Sequence, residues 1–156
     1  PMGRDWSRNA YRPGMAEQQY AEYRFRQGSL QEAHLAEAQR LAAQGKDRSS
    51  IRDLHRLRGD WRLKQGKWAL AAASYQEAVR LARESRSVID ADSETGLALA
   101  KHHLGQLANP FEEAERLSHL RNPAHRKLAQ LWLALGDHEK AKHHALAAYK
   151  WAWADG

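Results

Sequence analysis

The chain has 156 residues, no cysteine, and a formal charge of +6 from 25 Lys and Arg against 19 Asp and Glu. That length suits one compact domain, and the absence of cysteine excludes disulfides, thiolate nucleophiles and Cys-based zinc sites. No apolar run approaches the roughly 20 residues that cross a bilayer, and no basic-then-apolar leader opens the chain, so the sequence predicts a soluble cytoplasmic protein without membrane contact.

Alanine, leucine, glutamine, glutamate, lysine and arginine dominate, while β-branched residues and prolines are scarce. These are good helix formers, and the expected fold class is all-α. Residues 1–14 stand apart. Pro1, Met2 and Gly3 read as a remnant of cloning or processing, Arg12, Pro13 and Gly14 as a turn, and Trp6 and Tyr11 as partly docked on the first helix pair. Beyond residue 14 a phrase repeats: Gly28 to Ala33, Gly66 to Ala71 and Gly136 to Ala141 share one spacing, and Gly105 leads to Ala114 through a longer loop. Intervals of roughly 30 to 40 residues belong to helix-pair repeats. Each glycine can take the left-handed conformation that ends a helix, and each small alanine lets the next helix lie close.

The predicted elements are helices near 16–27 and 30–44, 51–65 and 68–84, 92–104 and 110–120, and 123–135 and 138–153. Ser29 with Glu32 has capping-box spacing, and Asn109-Pro110 and Asn122-Pro123 each put a capping side chain before a proline at the first helical position. Trp68, Ala71, Ala72, Tyr75, Ala78, Val79 and Ala82 recur at helical spacing. The helices pair into four units, at about 15–45, 51–85, 92–121 and 123–153.

At these positions the chain resembles the tetratricopeptide repeat family. Gly59, Gly66, Ala71, Tyr75 and Ala78 of the second unit fall on its pattern, as do Leu128, Ala129, Trp132, Gly136, Ala141, Ala145 and Ala148 of the fourth. The first unit keeps Tyr20, Ala21, Gly28 and Ala33 but has Glu37 where an aromatic is usual. The third keeps Leu97, Ala98 and Gly105, then departs at Asn109-Pro110. The stretches from Leu54 to Trp61 and from Tyr75 to Ala82 are similar to repeat arrays of bacterial signal-transduction ATPases and regulators of the STAND class. The phosphate-loop motif of the ATPase itself does not occur. The resemblance implies an α-α superhelix, serving as an interaction or sensor module of a larger cytosolic signalling or regulatory protein.

In such arrays the first helix of each unit lines a concave groove. The exposed positions there, Gln18, Glu22, Arg26, Arg56, Asp60, Lys64, His102, His103, Arg126 and Gln130, make a mildly basic surface suited to an acidic peptide or a free C-terminus. The asparagines of the family's carboxylate clamp are missing, so a chaperone-tail receptor is not expected.

Other chemistries find less support. The pairs His102-His103 and His143-His144 sit on helices where neighbours point about 100° apart, so neither can hold one ion, and no HExxH spacing occurs. A metal site would need one histidine from each of two helices and further ligands; none is predicted. Serines cluster at helix ends, where capping explains them, and Glu112, Glu113 and Glu115 open a helix, where the dipole favours them. No enzyme activity and no cofactor are expected. Arginines at 52, 56, 58, 62, 80, 83 and 86 with Trp61 and Trp68 offer a weaker nucleic-acid alternative.

The last helix is apolar on several sides, through Ala141, Ala145, Ala148 and Ala152, through Leu146, Tyr149 and Trp153, and through Trp151. Solenoids close with a polar cap, so the expectation is that more protein lies beyond Gly156, or that Tyr149, Trp151 and Trp153 pack in a homodimer.

Overall fold

The computed structural model describes residues 14–85 and 89–155, the side chains of 151–155 excepted. The expected tail at 1–14 falls outside this range except for Gly14. Among the described residues there are eight α-helices and no strand: α1 Met15–Arg26, α2 Glu32–Gln44, α3 Arg48–Lys64, α4 Trp68–Glu84, α5 Ala91–His103, α6 Pro110–Ser118, α7 His125–Ala134 and α8 His138–Asp155.

One turn is used repeatedly. Gly28, Gly66, Gly105 and Gly136 have φ of 74°, 74°, 71° and 87°, the left-handed region open to a residue without Cβ. The next residue's N–H then reaches back five positions, as Ser29 to the Arg24 carbonyl at 2.8 Å, Lys67 to Arg62 at 2.9 Å, Gln106 to Lys101 at 2.9 Å and Asp137 to Trp132 at 3.0 Å. This closes the orphan carbonyls of α1, α3, α5 and α7. Lys46, at φ 54°, makes the same turn after α2, with Asp47 N–H on the Ala42 carbonyl at 3.0 Å.

Each helix packs on the next, and α1, α3, α5 and α7 also touch in series, α1 on α3, α3 on α5 and α5 on α7. Buried side chains fill the layers. Leu35, Ala38, Leu54 and Leu57 close the first, Ala71, Tyr75 and Ala100 the middle, and Leu117, Leu128, Leu131 and Trp132 the last. Tyr75 of α4 is fully buried, pinned between two helix glycines. A Cβ at Gly59 of α3 would lie 2.7 Å from its ring, and one at Gly96 of α5 would lie 2.5 Å away. These glycines are spacers that let α3 and α5 close on the tyrosine.

Several helix starts differ from the sequence reading. The second helix opens at Glu32, where the Gln31 N–H donates to His34 Nδ1 at 3.0 Å, so Ser29 and Glu32 form no capping box; Ser29 is spent in the turn. The third helix opens at Arg48 because Asp47 caps it, its carboxylate accepting the Ser50 N–H at 3.1 Å. Pro110 takes the first turn of α6 as expected, although the Asn109 side chain makes no capping bond. Asn122 and Pro123 precede α7, whose N-cap is Ala124.

Candidate functional site

The serial contact of α1, α3, α5 and α7 leaves a groove along them. Two adjoining hollows of about 670 and 180 Å³ share Phe25, Asp60 and Asp92. Between them they are lined by Glu22, Phe25 and Arg26 of α1, Arg56, Leu57, Asp60, Leu63 and Lys64 of α3, Asp92 of α5, and Arg126, Lys127 and Gln130 of α7. Seven of the ten positions read from the sequence, Glu22, Arg26, Arg56, Asp60, Lys64, Arg126 and Gln130, therefore line one groove, and Gln18, His102 and His103 do not.

Its floor is an ionic network. Lys127 is only 9% exposed, and its Nζ lies 3.0 Å from Asp60 Oδ1 and 2.6 Å from Asp92 Oδ2. The Tyr75 hydroxyl donates to Asp60, and burial, followed by that carboxylate, raises the tyrosine pKa, so the hydroxyl remains a donor. Arg56 sits 3.9 Å from Asp53, 3.9 Å from Asp92 and 4.0 Å from Glu22. Burial works to lower its pKa, but the surrounding aspartates raise it. A buried lysine needs paired charges. The network meets that need while tying α3, α5 and α7 together.

The rim is different. Arg26, Lys64 and Arg126 are exposed and have no carboxylate partner among the described residues. Lys64 Nζ lies 5.6 Å from the centroid of Phe25, and Leu63 extends that apolar strip. The groove thus has neutralised charges at its floor, three cations without counterions among the described residues at its rim, and an apolar strip between.

His102 does not line the groove. It tilts against His103, which stacks on the half-buried Trp68 with centroids 4.1 Å apart. The sequence reading sought the contribution of α5 at its last turn, whereas chain register brings its first turn, with Asp92, beside Asp60. Lys127 gave no sequence signal: a lone lysine on an amphipathic helix reads as solvated, and only tertiary packing sets it between two aspartates. Phe25, next to Arg26, could have been found from its place on the groove side of α1.

The remaining candidate residues are dispersed. Arg58 and Arg62 both reach Glu32, Arg80 holds Glu77 and Glu84, Arg83 approaches Glu94, and Arg52 approaches Asp53. These arginines are matched by carboxylates, which weakens the phosphate-binding reading of the second unit; Arg86 lies outside the described residues. His125 and His144 approach across α7 and α8, Nδ1 to Nδ1 at 2.9 Å. No group of three metal-ligating side chains forms among the described residues. Tyr149 is 59% exposed, and the side chains of Trp151 and Trp153 lie outside the described residues. No helix among the described residues is long and apolar enough to cross a membrane.

The fold and the groove define an all-helical protein of serially packed helices. Comparison with family models, with curated proteins and with solved structures finds no match.

Proposed function

We propose that this chain is a protein–protein interaction scaffold, a tetratricopeptide-like superhelix whose concave groove binds an extended acidic peptide. The reading is carried by the division of charge in the groove. Lys127 and Arg56 are already satisfied by the protein's own carboxylates, whereas Arg26, Lys64 and Arg126 stand around Phe25 and Leu63 without counterions among the described residues. Arginine forks take carboxylates bidentately, lysine takes them as a point charge, and the apolar strip seats a side chain between them. The ligand is a peptide with acidic residues on either side of an apolar one, bound in the cytosol by a module of a signalling or regulatory protein.

The test is a titration of isotope-labelled protein with a peptide alternating Glu and Leu, monitored by amide and methyl resonances. The expected shifts gather at Phe25, Leu63, Lys64 and Gln130. Shifts scattered over the outer helices, or none, would overturn the groove assignment.

A second reading, self-association through α8, is favoured by Leu146 and Tyr149, each more than half exposed on that helix. Under this reading the protein sediments as a concentration-dependent dimer that Leu146→Ser with Tyr149→Ser dissociates. A monomer at every concentration would refute it.

A further inference from the structure

On the opposite side of the chain, α4 and α6 make no direct packing contact, and α5 lies between them. The gap is a cleft of about 640 Å³, within the size range of small-molecule sites. Its cause is local. The connection from α5 to α6 is long enough to carry Leu107 inward, and α6 is only 9 residues long, so it does not close on α4.

The cleft is apolar at its base and cationic at its edges. Val79 is 7% exposed and Ala98 is 4% exposed, and Leu97 and Leu107 complete the floor. At one end the buried carboxylate of Glu94 draws both walls together, its Oε1 accepting from Arg116 Nη2 at 3.1 Å and meeting Arg83 Nη2 at 3.5 Å. That end is neutralised. Arg80 is likewise committed to Glu77 and Glu84, and Arg116 also to Glu113. Seven residues further along α5, roughly 10 Å at the helical rise, Lys101 enters the lining with no carboxylate partner among the described residues.

From this arrangement we infer a second binding site, for a small amphipathic carboxylate. Its apolar chain lies on Val79, Leu97, Ala98 and Leu107, and its carboxylate meets the Lys101 ammonium. Charge complementarity selects the anion: among the described residues the donors left unspent are the Lys101 ammonium, the Gln76 amide and the remaining N–H groups of Arg83 and Arg116, whereas the lining carboxylates already hold arginines. An ammonium head would meet Lys101 as a like charge. The site is separate from the groove, since none of its lining residues is shared with it.

Octanoate, octylammonium and 1-octanol are the probes, each titrated into the intact protein by calorimetry and by methyl resonances of Leu97 and Leu107. Octanoate is expected to bind about tenfold or more tightly than octylammonium, as a charge-assisted contact replaces a like-charge one. Lys101→Glu, a surface change that leaves the Glu94 bridge intact, is expected to weaken octanoate about tenfold while sparing octanol. Leu97→Gln, with its melting curve recorded to show that it folds, is expected to abolish binding of both. Equal affinity for octanoate and octylammonium, unchanged octanoate affinity in the Lys101 variant, or no octanoate binding up to about 10 mM would overturn the site.

Discussion

Replacing a glycine inside a helix with alanine ordinarily stabilises a protein by about 1 kcal/mol. At Gly96 the structure predicts the reverse. The added Cβ would stand 2.5, 2.6 and 2.8 Å from three ring atoms of Tyr75. That ring has no room to retreat, because α3 packs on it so closely that a Cβ added at Gly59 would lie 2.7 Å from it, and its hydroxyl is held by Asp60. Relief requires α4 and α5 to separate, which costs about 3 kcal/mol, the upper part of the range for overpacked cores. Set against the propensity gain, the net loss is about 2 kcal/mol, a fall in Tm of roughly 6 °C for a domain of this size. Urea and thermal unfolding measure it. In a double-mutant cycle with Tyr75→Leu, which removes the ring, the two costs should fall short of additivity by about 1–3 kcal/mol. A neutral or stabilising Gly96→Ala, or an additive cycle, would refute the account of α3, α4 and α5 closing on one tyrosine.

Other parts of the molecule give further expected outcomes. At Gly28, Gly105 and Gly136 an added Cβ meets nothing within 4 Å, so alanine there should cost only the left-handed backbone, about 1 kcal/mol at each position; unequal costs in urea unfolding would break the equivalence of the turns. His144 is 5% exposed, and burial first, then His125 and His143, lower its pKa from 6.5 to about 4, with Glu115 opposing. The unfolded chain therefore takes up this proton first, so stability is undiminished above pH 6.5 and is lost as pH falls from 6.5 toward 4, by up to about 3 kcal/mol. His144→Gln, compared with the native chain in urea at pH 7 and pH 4.5, should flatten that loss, and an unchanged pH dependence would contradict it. Lys127→Met removes the cation set between Asp60 and Asp92 and leaves Arg56, 3.9 Å from Asp92, as their nearest counter-charge, which should cost about 2 kcal/mol given their partial exposure. Adding Asp92→Asn should restore part of it, and no recovery would show that the lysine acts by packing alone.

Much of the fold was legible because its signals are local. The glycines at 28, 66, 105 and 136 mark turns that only a residue tolerating positive φ closes at low cost, and the 3.6-residue apolar spacing of α4 and α7 shows the buried faces of those helices. Helix starts were less legible. Ser29 and Asn122 are good caps by type, but Ser29 is consumed by the turn before α2, Asn122 lies two residues ahead of the N-cap of α7, and α3 starts early because Asp47 caps it. The groove was legible where it depends on the side of one helix, as for Arg26, Lys64 and Arg126. It was illegible where it depends on the register between helices, as for Asp92 and Lys127, whose pairing spans 35 positions. Charge counting also could not separate Arg56, spent on its own aspartates, from Lys64, which is not.

The contrast between spent and unspent cations supplies the most direct test of peptide binding in the groove. Fluorescence anisotropy of a labelled Glu-Leu peptide would be compared between the native protein and a variant carrying Arg26→Glu, Lys64→Glu and Arg126→Glu, each at low and high salt. These three side chains make no ion pair among the described residues, so the variant should keep its helical spectrum and melting temperature. The account predicts that binding weakens by a hundredfold or so, about 1 kcal/mol for each charge contact reversed, and that salt weakens the native complex. Native affinity in the folded variant would contradict the claim that this groove binds acidic peptides.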